Sequence, residues 1–104
     1  MSVSIEVMNK NMIDRQLKPI GVNNKLILDA FKSVPRELFL DKDKESIAYH
    51  EGNMEIKEGR WLLSAGLIGR LINSVTISKE DVILEVGSCT GYATAILEKL
   101  SSLV

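Results

Sequence analysis

The most informative stretch of the sequence is VILEVGSCTGY, which covers residues 82–92. It begins with a run rich in β-branched residues, Val82–Val86, a pattern typical of a buried parallel strand. A loop bounded by Gly87 and Gly91 follows, and a helix is predicted over Tyr92–Leu100. Strand, glycine-bounded loop and helix form an arrangement that binds nucleotide-like ligands at the carboxyl end of a parallel sheet. We therefore expect an α/β fold with a ligand site at this loop.

This loop differs from the common phosphate-binding loops. It lacks the Gly-Lys-Ser/Thr ending of a P-loop and the Gly-x-Gly-x-x-Gly spacing of dinucleotide-binding loops. It has instead Glu85 two residues before Gly87, and Gly91 four residues after it. This Glu-x-Gly-x-x-x-Gly pattern resembles the first motif of class I S-adenosylmethionine-dependent methyltransferases. The alternative is a plain strand-to-helix turn, in which glycines relieve crowding and Glu85 ends a strand.

The resemblance implies S-adenosylmethionine as cofactor, with Glu85, Gly87, Ser88 and Gly91 as the residues that bind it. In that class the loop packs against the methionine half of the cofactor, and the carboxylate lies near the cofactor's ammonium group. Cys89 stands where the family usually has the middle glycine of Gly-x-Gly-x-Gly. A β-carbon at this position can displace the cofactor or require a different backbone angle.

Three more helices are predicted before the loop, each from apolar residues spaced three and four apart that follow a polar residue able to cap. The first runs to about Leu17, and the second stops before Pro35, which opens a short turn. Residues 41–59 give a weak pattern in which only Met54–Ile56 suggests a strand. The predicted caps are Ser4 for the first helix and Asn23 or Asn24 for the second, and the third helix is predicted to begin at Leu63 or Ser64, of which Ser64 can cap it.

Two upstream motifs resemble the opening of protein-L-isoaspartate methyltransferases. They are MIDRQL at Met12–Leu17 and VPRELF at Val34–Phe39, the second of which matches the family's Val-Pro-Arg-x-x-Phe segment. The pair Ala48–Tyr49 falls where that family carries Ala-Tyr or a similar pair. The resemblance covers about Met12 to Leu100, and the motifs occur in the family's order and spacing. Taken singly, Arg36 can equally be a solvated surface residue.

The resemblance implies methyl transfer from S-adenosylmethionine to the carboxylate of L-isoaspartyl residues, with damaged proteins or peptides as partners. The family positions its reactants partly with a Thr-Ile-Ser-Gln-Pro segment, whose serine is the assigned catalytic residue. Aligning Gly59 to Arg70 without gaps places Leu63 on that serine, and leucine has no hydroxyl. A slip of one residue places Ser64 there, although Ser64 also suits a helix cap. We therefore assign no catalytic residue and keep Ser64 as a candidate.

Charge and composition exclude several function classes. Thirteen basic and fourteen acidic residues give a formal charge of −1, which leaves no basic excess for nucleic acid. The apolar runs Leu62–Ile72 and Val82–Val86 are shorter than the ~20 residues of a membrane span, and residues 1–10 lack the pattern of a secretory signal. No metal-ligand cluster accompanies the single Cys89, and His50 lacks a partner that would make it the base for a cysteine nucleophile. We expect a cytoplasmic protein without metal, nucleic-acid or membrane partners.

The number of residues that follow the loop limits which elements of the fold the chain can contain. Only 17 residues follow Gly87 (104 minus 87), whereas a strand–helix–strand unit needs about 30. One helix fits, but a returning strand with the acidic residue that holds the cofactor's ribose does not. We expect a truncated Rossmann-like methyltransferase, mostly α-helical with one main strand at about 82–87. Residues 1–60 would form its N-terminal helical region, and residues 61–104 the start of an incomplete cofactor-binding domain.

Two hypotheses for the function follow. The first is an isoaspartyl methyltransferase that is inactive as this chain alone. The second is a non-enzymatic remnant, or an oligomerising or interaction module. A lone strand at Val82–Val86 has unpaired backbone groups that tend to pair with another chain. We therefore predict either a homo-oligomer or a second polypeptide that supplies the C-terminal half.

Overall fold

The computed structural model describes residues 4–104, so the first three residues of the segment inspected for a secretory signal lie outside the described part. Within that range the chain forms four α-helices and one two-stranded antiparallel sheet. The predicted predominance of helix is confirmed. The helices are α1 (Ile5–Met12), α2 (Lys25–Ser33), α3 (Ala65–Asn73) and α4 (Tyr92–Leu100), and the strands are β1 (Met54–Lys57) and β2 (Arg60–Leu62).

The first three helices begin at side-chain caps that the sequence predicted. The Oγ atoms of Ser4 and Ser64 each accept a hydrogen bond from the backbone N–H three residues later, at 3.3 and 3.1 Å. Asn24, rather than Asn23, caps α2, since its Oδ1 accepts from the N–H groups two and three residues later. The first N–H groups of a helix have no partner within the helix, so each cap stabilises the chain by about 1 kcal/mol.

The first helical segment extends beyond α1, as predicted. Ile13–Leu17 continues it as a π-helical turn, and Lys18–Ile20 follows as a 3₁₀ turn. Gly21 then closes the segment at φ +94°, a conformation that favours glycine. In the π-helical turn, the Gln16 amide donates a hydrogen bond of 2.8 Å to the Tyr49 carbonyl. The turn therefore ties the first helical segment to a residue far along the chain.

A short hairpin occupies part of the region where the sequence pattern was weak. Strand β1 confirms the suggested strand at Met54–Ile56, whereas β2 was not predicted. Met54 pairs with Leu62 and Glu55 with Trp61, and the register shifts between Glu55 and Lys57. The hairpin brings Leu62, which is buried, directly to the start of α3.

The prediction of a main strand at about 82–87 is wrong, because the structure forms no strand there. Val82 forms one isolated parallel bridge with Leu103, in which the Ile83 N–H donates to the Leu103 carbonyl at 2.8 Å. Leu84 and Val86 are 89% and 87% exposed. A strand needs a neighbour that accepts its hydrogen bonds, and within residues 4–104 only the first residues of this run have one. After α4 the chain returns beside this run at that one bridge, and no strand is formed there within residues 4–104.

The core is formed by side chains from all four helices. Helix α2 packs against α4, with the Phe31 and Tyr92 rings edge to face at 6.3 Å between centroids. Ile96, on the next turn of α4, is also completely buried. This contact fixes α4, and with it the loop that precedes α4, against the N-terminal helices. In the part of the chain that the structure covers, no helix has the length and apolar character needed to cross a bilayer.

Candidate functional site

The loop before α4, Gly87–Gly91, has a backbone that mainly glycine can adopt. The φ angles are +79° at Gly87, +55° at Cys89 and +90° at Gly91, all in the left-handed region. The Gly91 N–H donates to the Ser88 carbonyl at 2.8 Å, which closes the loop just before the helix. The predicted glycine loop is therefore present at the predicted residues, although the strand before it is not formed.

One face of the loop is open at its two glycines. A β-carbon built on Gly87 or on Gly91 would have no heavy atom within 4 Å. Ser88 and Cys89, between them, are exposed. The glycines are thus not required by close packing within the chain. They leave the backbone accessible, so a ligand can approach it closely.

Glu85 lies beside the loop and is held by the helix that follows. The Thr94 hydroxyl, on the first turn of α4, donates a hydrogen bond to Glu85 Oε1. This bond uses one of the two carboxylate oxygens, and the side chain is half-buried. A partly desolvated carboxylate fixed in this way is suited to accept hydrogen bonds from a cationic group such as an ammonium.

Cys89 is the one non-glycine residue with positive φ in the described range. Such a backbone costs a side-chain-bearing residue roughly 1 to 2 kcal/mol. The position therefore keeps the glycine-like backbone of the motif although its residue has a β-carbon.

The two residues aligned with the family's catalytic serine have different surroundings. Leu63 is half-buried, and its carbonyl accepts a hydrogen bond of 3.1 Å from Arg36 Nη2. Ser64 caps α3 with its hydroxyl, and its N–H donates to Asn53 Oδ1 at 2.8 Å. The cap occupies a lone pair of the Ser64 hydroxyl and leaves its proton free to donate.

A buried polar cluster lies next to this segment, and sequence reasoning missed it. It contains Arg36, which is only 1% exposed, so its interpretation as a solvated residue is wrong. Arg36 Nε donates to the Ala48 carbonyl at 2.6 Å, and the guanidinium carbon lies 4.8 Å from the centre of the Tyr92 ring. The Tyr49 hydroxyl accepts from the Arg36 N–H at 3.1 Å and donates to the carboxylate of Glu37.

Burial dominates the electrostatics of the cluster. It raises the pKa of Tyr92 from 10.0 to about 12, against the opposing effect of the Arg36 cation. Burial also raises the pKa of Tyr49, and the neighbouring Glu37 raises it further. The pKa of Arg36 is lowered because desolvation disfavours its charge. Both tyrosines are therefore neutral at physiological pH.

The cluster connects two regions that sequence reasoning treated separately. Tyr92 follows directly after Gly91 at the start of α4, and Leu63 lies in the segment aligned with the family's catalytic serine. Arg36 contacts both. The one sign in the sequence that Arg36 connects these regions was the Val-Pro-Arg segment itself, because no neighbouring residue in the sequence accounts for an arginine there. Residues 4–104 contain no group of three or more His, Cys, Asp or Glu side chains placed to hold a metal ion.

Comparison with known proteins gives a consistent result along nearly the whole chain. The family model for protein-L-isoaspartate(D-aspartate) O-methyltransferase matches residues 7–102. The chain is 34% identical, over 102 residues, to the protein-L-isoaspartate O-methyltransferase of Petrotoga mobilis, covering 98% of the chain and 48% of that relative.

Two further relatives carry the same name. The one from Methanoculleus marisnigri is 28% identical over 95 residues, which are 91% of the chain and 43% of the relative. The one from Photobacterium profundum is 34% identical over 80 residues, which are 77% of the chain and 38% of the relative. The chain thus spans about half the length, or less, of the curated relatives it matches.

Proposed function

Because this chain belongs to the protein-L-isoaspartate(D-aspartate) O-methyltransferase family, we propose that its glycine loop forms part of a site for S-adenosylmethionine. The observation that carries the proposal is the open face at Gly87 and Gly91, beside a carboxylate held in place by α4. No neighbouring atom in the chain requires glycine at these two positions, and a fixed acidic group lies beside them. This combination suits a ligand that has both a flat surface and a positive charge.

In this proposal, Glu85 accepts a hydrogen bond from the ammonium of the methionine half. The backbone of Gly87, Ser88 and Gly91 lies against the rest of that half, because no side chain of the first or last residue stands in the way. The β-carbon of Cys89 reduces the space through which the cofactor reaches the loop, whereas the backbone at Cys89 keeps the positive φ that glycine favours. Residues 61–104 then begin the cofactor-binding domain, and residues 1–60 form the helical region beside it.

The reaction we propose for the whole protein is methyl transfer to the carboxylate of L-isoaspartyl residues in proteins or peptides, in the cytoplasm and without nucleic-acid or membrane partners. S-adenosylmethionine supplies the methyl group, and a bond forms between that carbon and a carboxylate oxygen as the bond to sulfur breaks. Such a transfer depends mainly on how the two reactants are positioned. The side chain of Leu63 cannot bind the carboxylate by a hydrogen bond, so we assign no catalytic residue here, and Ser64 stays a candidate.

We further propose that these residues do not transfer methyl groups unaided. Leu84 and Val86 are almost fully exposed, and the bridge to Leu103 leaves Leu84–Val86 without a backbone partner among residues 4–104. Their backbone and side chains suit strands from another polypeptide or from a second copy. The same exposed run supports a second candidate function, a non-enzymatic oligomerising or interaction module.

The two candidates differ in what the chain binds. We expect calorimetry to detect S-adenosylmethionine binding, several-fold tighter in Cys89→Gly and weaker in Glu85→Gln, with no methyl transfer to an isoaspartyl peptide by the chain alone. Glu98→Gln is the matched control, because Glu98 is an exposed acid on α4, away from the loop. Oligomers seen by light scattering together with no binding would favour the interaction module. Turnover by the isolated chain would refute the proposed dependence on a partner.

A further inference from the structure

We propose that Arg36 is a positioning residue, which holds the segment Trp61–Ala65 at a fixed place relative to the glycine loop. This inference rests on the proposed function, because it assigns the two regions to the two reactants of a methyl transfer. Arg36 lies on the 3₁₀ turn Arg36–Phe39, in neither of those regions. Its side chain nevertheless contacts both of them.

The contacts of the Arg36 guanidinium come from three separate parts of the chain. Its Nε donates to the carbonyl of Ala48 at 2.6 Å, and its Nη2 donates to the carbonyl of Leu63 at 3.1 Å. Its guanidinium carbon lies over the ring of Tyr92, 4.8 Å from the ring centre. A rigid planar fork that binds two carbonyls while its carbon lies over a ring restricts the distances between all three.

The base of the arginine is itself held in place. Its backbone N–H donates to the Tyr49 hydroxyl at 3.1 Å, and that hydroxyl donates to Glu37. The Tyr49 carbonyl in turn accepts from Gln16, in the π-helical turn after α1. The guanidinium is therefore attached to a fixed part of the core. It can hold the groups that it contacts in place, and it does not merely fill space.

Burial argues against a role in stability alone. Arg36 is 1% exposed, and its Nη1 and the Tyr92 hydroxyl have no hydrogen-bond partner within residues 4–104. A buried cation with an unsatisfied donor is costly, and an apolar side chain of similar size commonly serves stability equally well or better. Arg36 therefore suits a role in fixing the positions of the groups it contacts, which an apolar side chain could not perform because it forms no hydrogen bonds.

That geometry bears on the proposed reaction through Leu63 and Tyr92. Leu63 lies in the segment aligned with the family's catalytic serine, and Tyr92 is the residue after Gly91. Misplacement of a reactant by about 1 Å can lower a rate about a hundredfold. A side chain that bridges the two regions limits such misplacement, even though it need not touch either reactant.

The variant Arg36→Lys tests the proposal, because lysine keeps the charge but cannot form the fork. We expect about tenfold faster hydrogen exchange at the N–H groups of Ser64 and Leu67, and a fall in the fluorescence anisotropy of Trp61, the single tryptophan. Exchange at the Leu28 N–H, within α2, should be unchanged. The control is Arg70→Lys, an exposed position on α3.

Either of two results would overturn the proposal. One is unchanged exchange and anisotropy in the variant, and the other is an equal rise in exchange at Leu28, which indicates a general loss of stability. If Arg36→Lys does not fold, Arg36→Met gives the same comparison with the cation removed from the core. These readings need no cofactor, so a failure to bind S-adenosylmethionine would count against the proposed function alone.

A second measurement, made with added cofactor, links the result to the proposed reaction. S-adenosylmethionine should change the Trp61 emission in the unmodified chain, and the change should be lost in Arg36→Lys although binding persists by calorimetry. Persistence of the emission change in Arg36→Lys would show that the two regions communicate without this side chain, which contradicts the positioning role.

Discussion

Replacing Tyr92 with alanine is expected to lower the free energy of unfolding by about 3 to 5 kcal/mol. Tyr92 is completely buried, and its ring contacts the rings of Phe31 and Phe39 edge to face, at 6.3 and 5.7 Å between centroids. The guanidinium carbon of Arg36 lies over the same ring. Removing the ring leaves a large cavity where α2 meets α4, and a buried cation loses its aromatic neighbour. Since small domains have about 5 to 15 kcal/mol in total, the variant should be partly unfolded.

The matched variant Tyr92→Phe separates the ring from the hydroxyl. That hydroxyl has no partner at good hydrogen-bond geometry among the residues the structure describes, although Arg36 lies near enough to oppose the rise in its pKa, so its removal should change the stability by no more than about 1 kcal/mol. Urea denaturation followed by far-ultraviolet circular dichroism measures both variants. Equal destabilisation by alanine and phenylalanine would contradict the account, because it would mean that the hydroxyl, and not the packed ring, carries the interaction.

Alkaline pH is expected to destabilise the chain through the same residue. The pKa of Tyr92 is raised from 10.0 to about 12 in the folded state. Between these values the unfolded chain releases the phenolic proton while the folded chain keeps it, so the unfolded state is favoured as pH rises. A shift of this size corresponds to a loss on the order of 2 to 3 kcal/mol, complete once the pH exceeds the folded-state value. Below about pH 10 the contribution of this group does not vary with pH.

The variant Tyr92→Phe is again the test of this pH dependence. Stability measured by urea denaturation in a series of alkaline buffers should fall more gently in the variant than in the unmodified chain. Some fall should remain, since the pKa of Tyr49 is raised as well, by burial and by Glu37. Identical pH profiles for the two proteins would show that Tyr92 ionises as readily in the folded chain as in the unfolded one.

The features that the sequence predicted well are local ones. The caps at Ser4, Asn24 and Ser64 each bond to an N–H two or three residues away, so a short pattern contains all the information needed. The glycine loop is similar, because Gly87 and Gly91 have the positive φ that their residue type allows. Helix and loop boundaries of this kind depend on few neighbours.

The features that were missed depend on partners far along the chain. The burial of Arg36 arises from carbonyls 12 and 27 residues away, and no local pattern of a Val-Pro-Arg segment reveals them. The strand predicted at Val82–Val86 failed for the converse reason. Its composition suits a sheet, but apart from the bridge to Leu103 the described chain offers no neighbouring strand. Composition thus gives the tendency of a segment, while its partners decide the outcome.

We propose that residues 85–92 form part of a site for S-adenosylmethionine. The most direct test is to titrate the cofactor into the isotopically labelled chain and to follow every backbone amide by nuclear magnetic resonance. This method detects weak binding and identifies the residues involved. We predict saturable shifts concentrated at Glu85–Tyr92, and reduced shifts in Glu85→Gln. Shifts that are absent from this segment at millimolar cofactor, or that occur only elsewhere in the chain, would contradict the account.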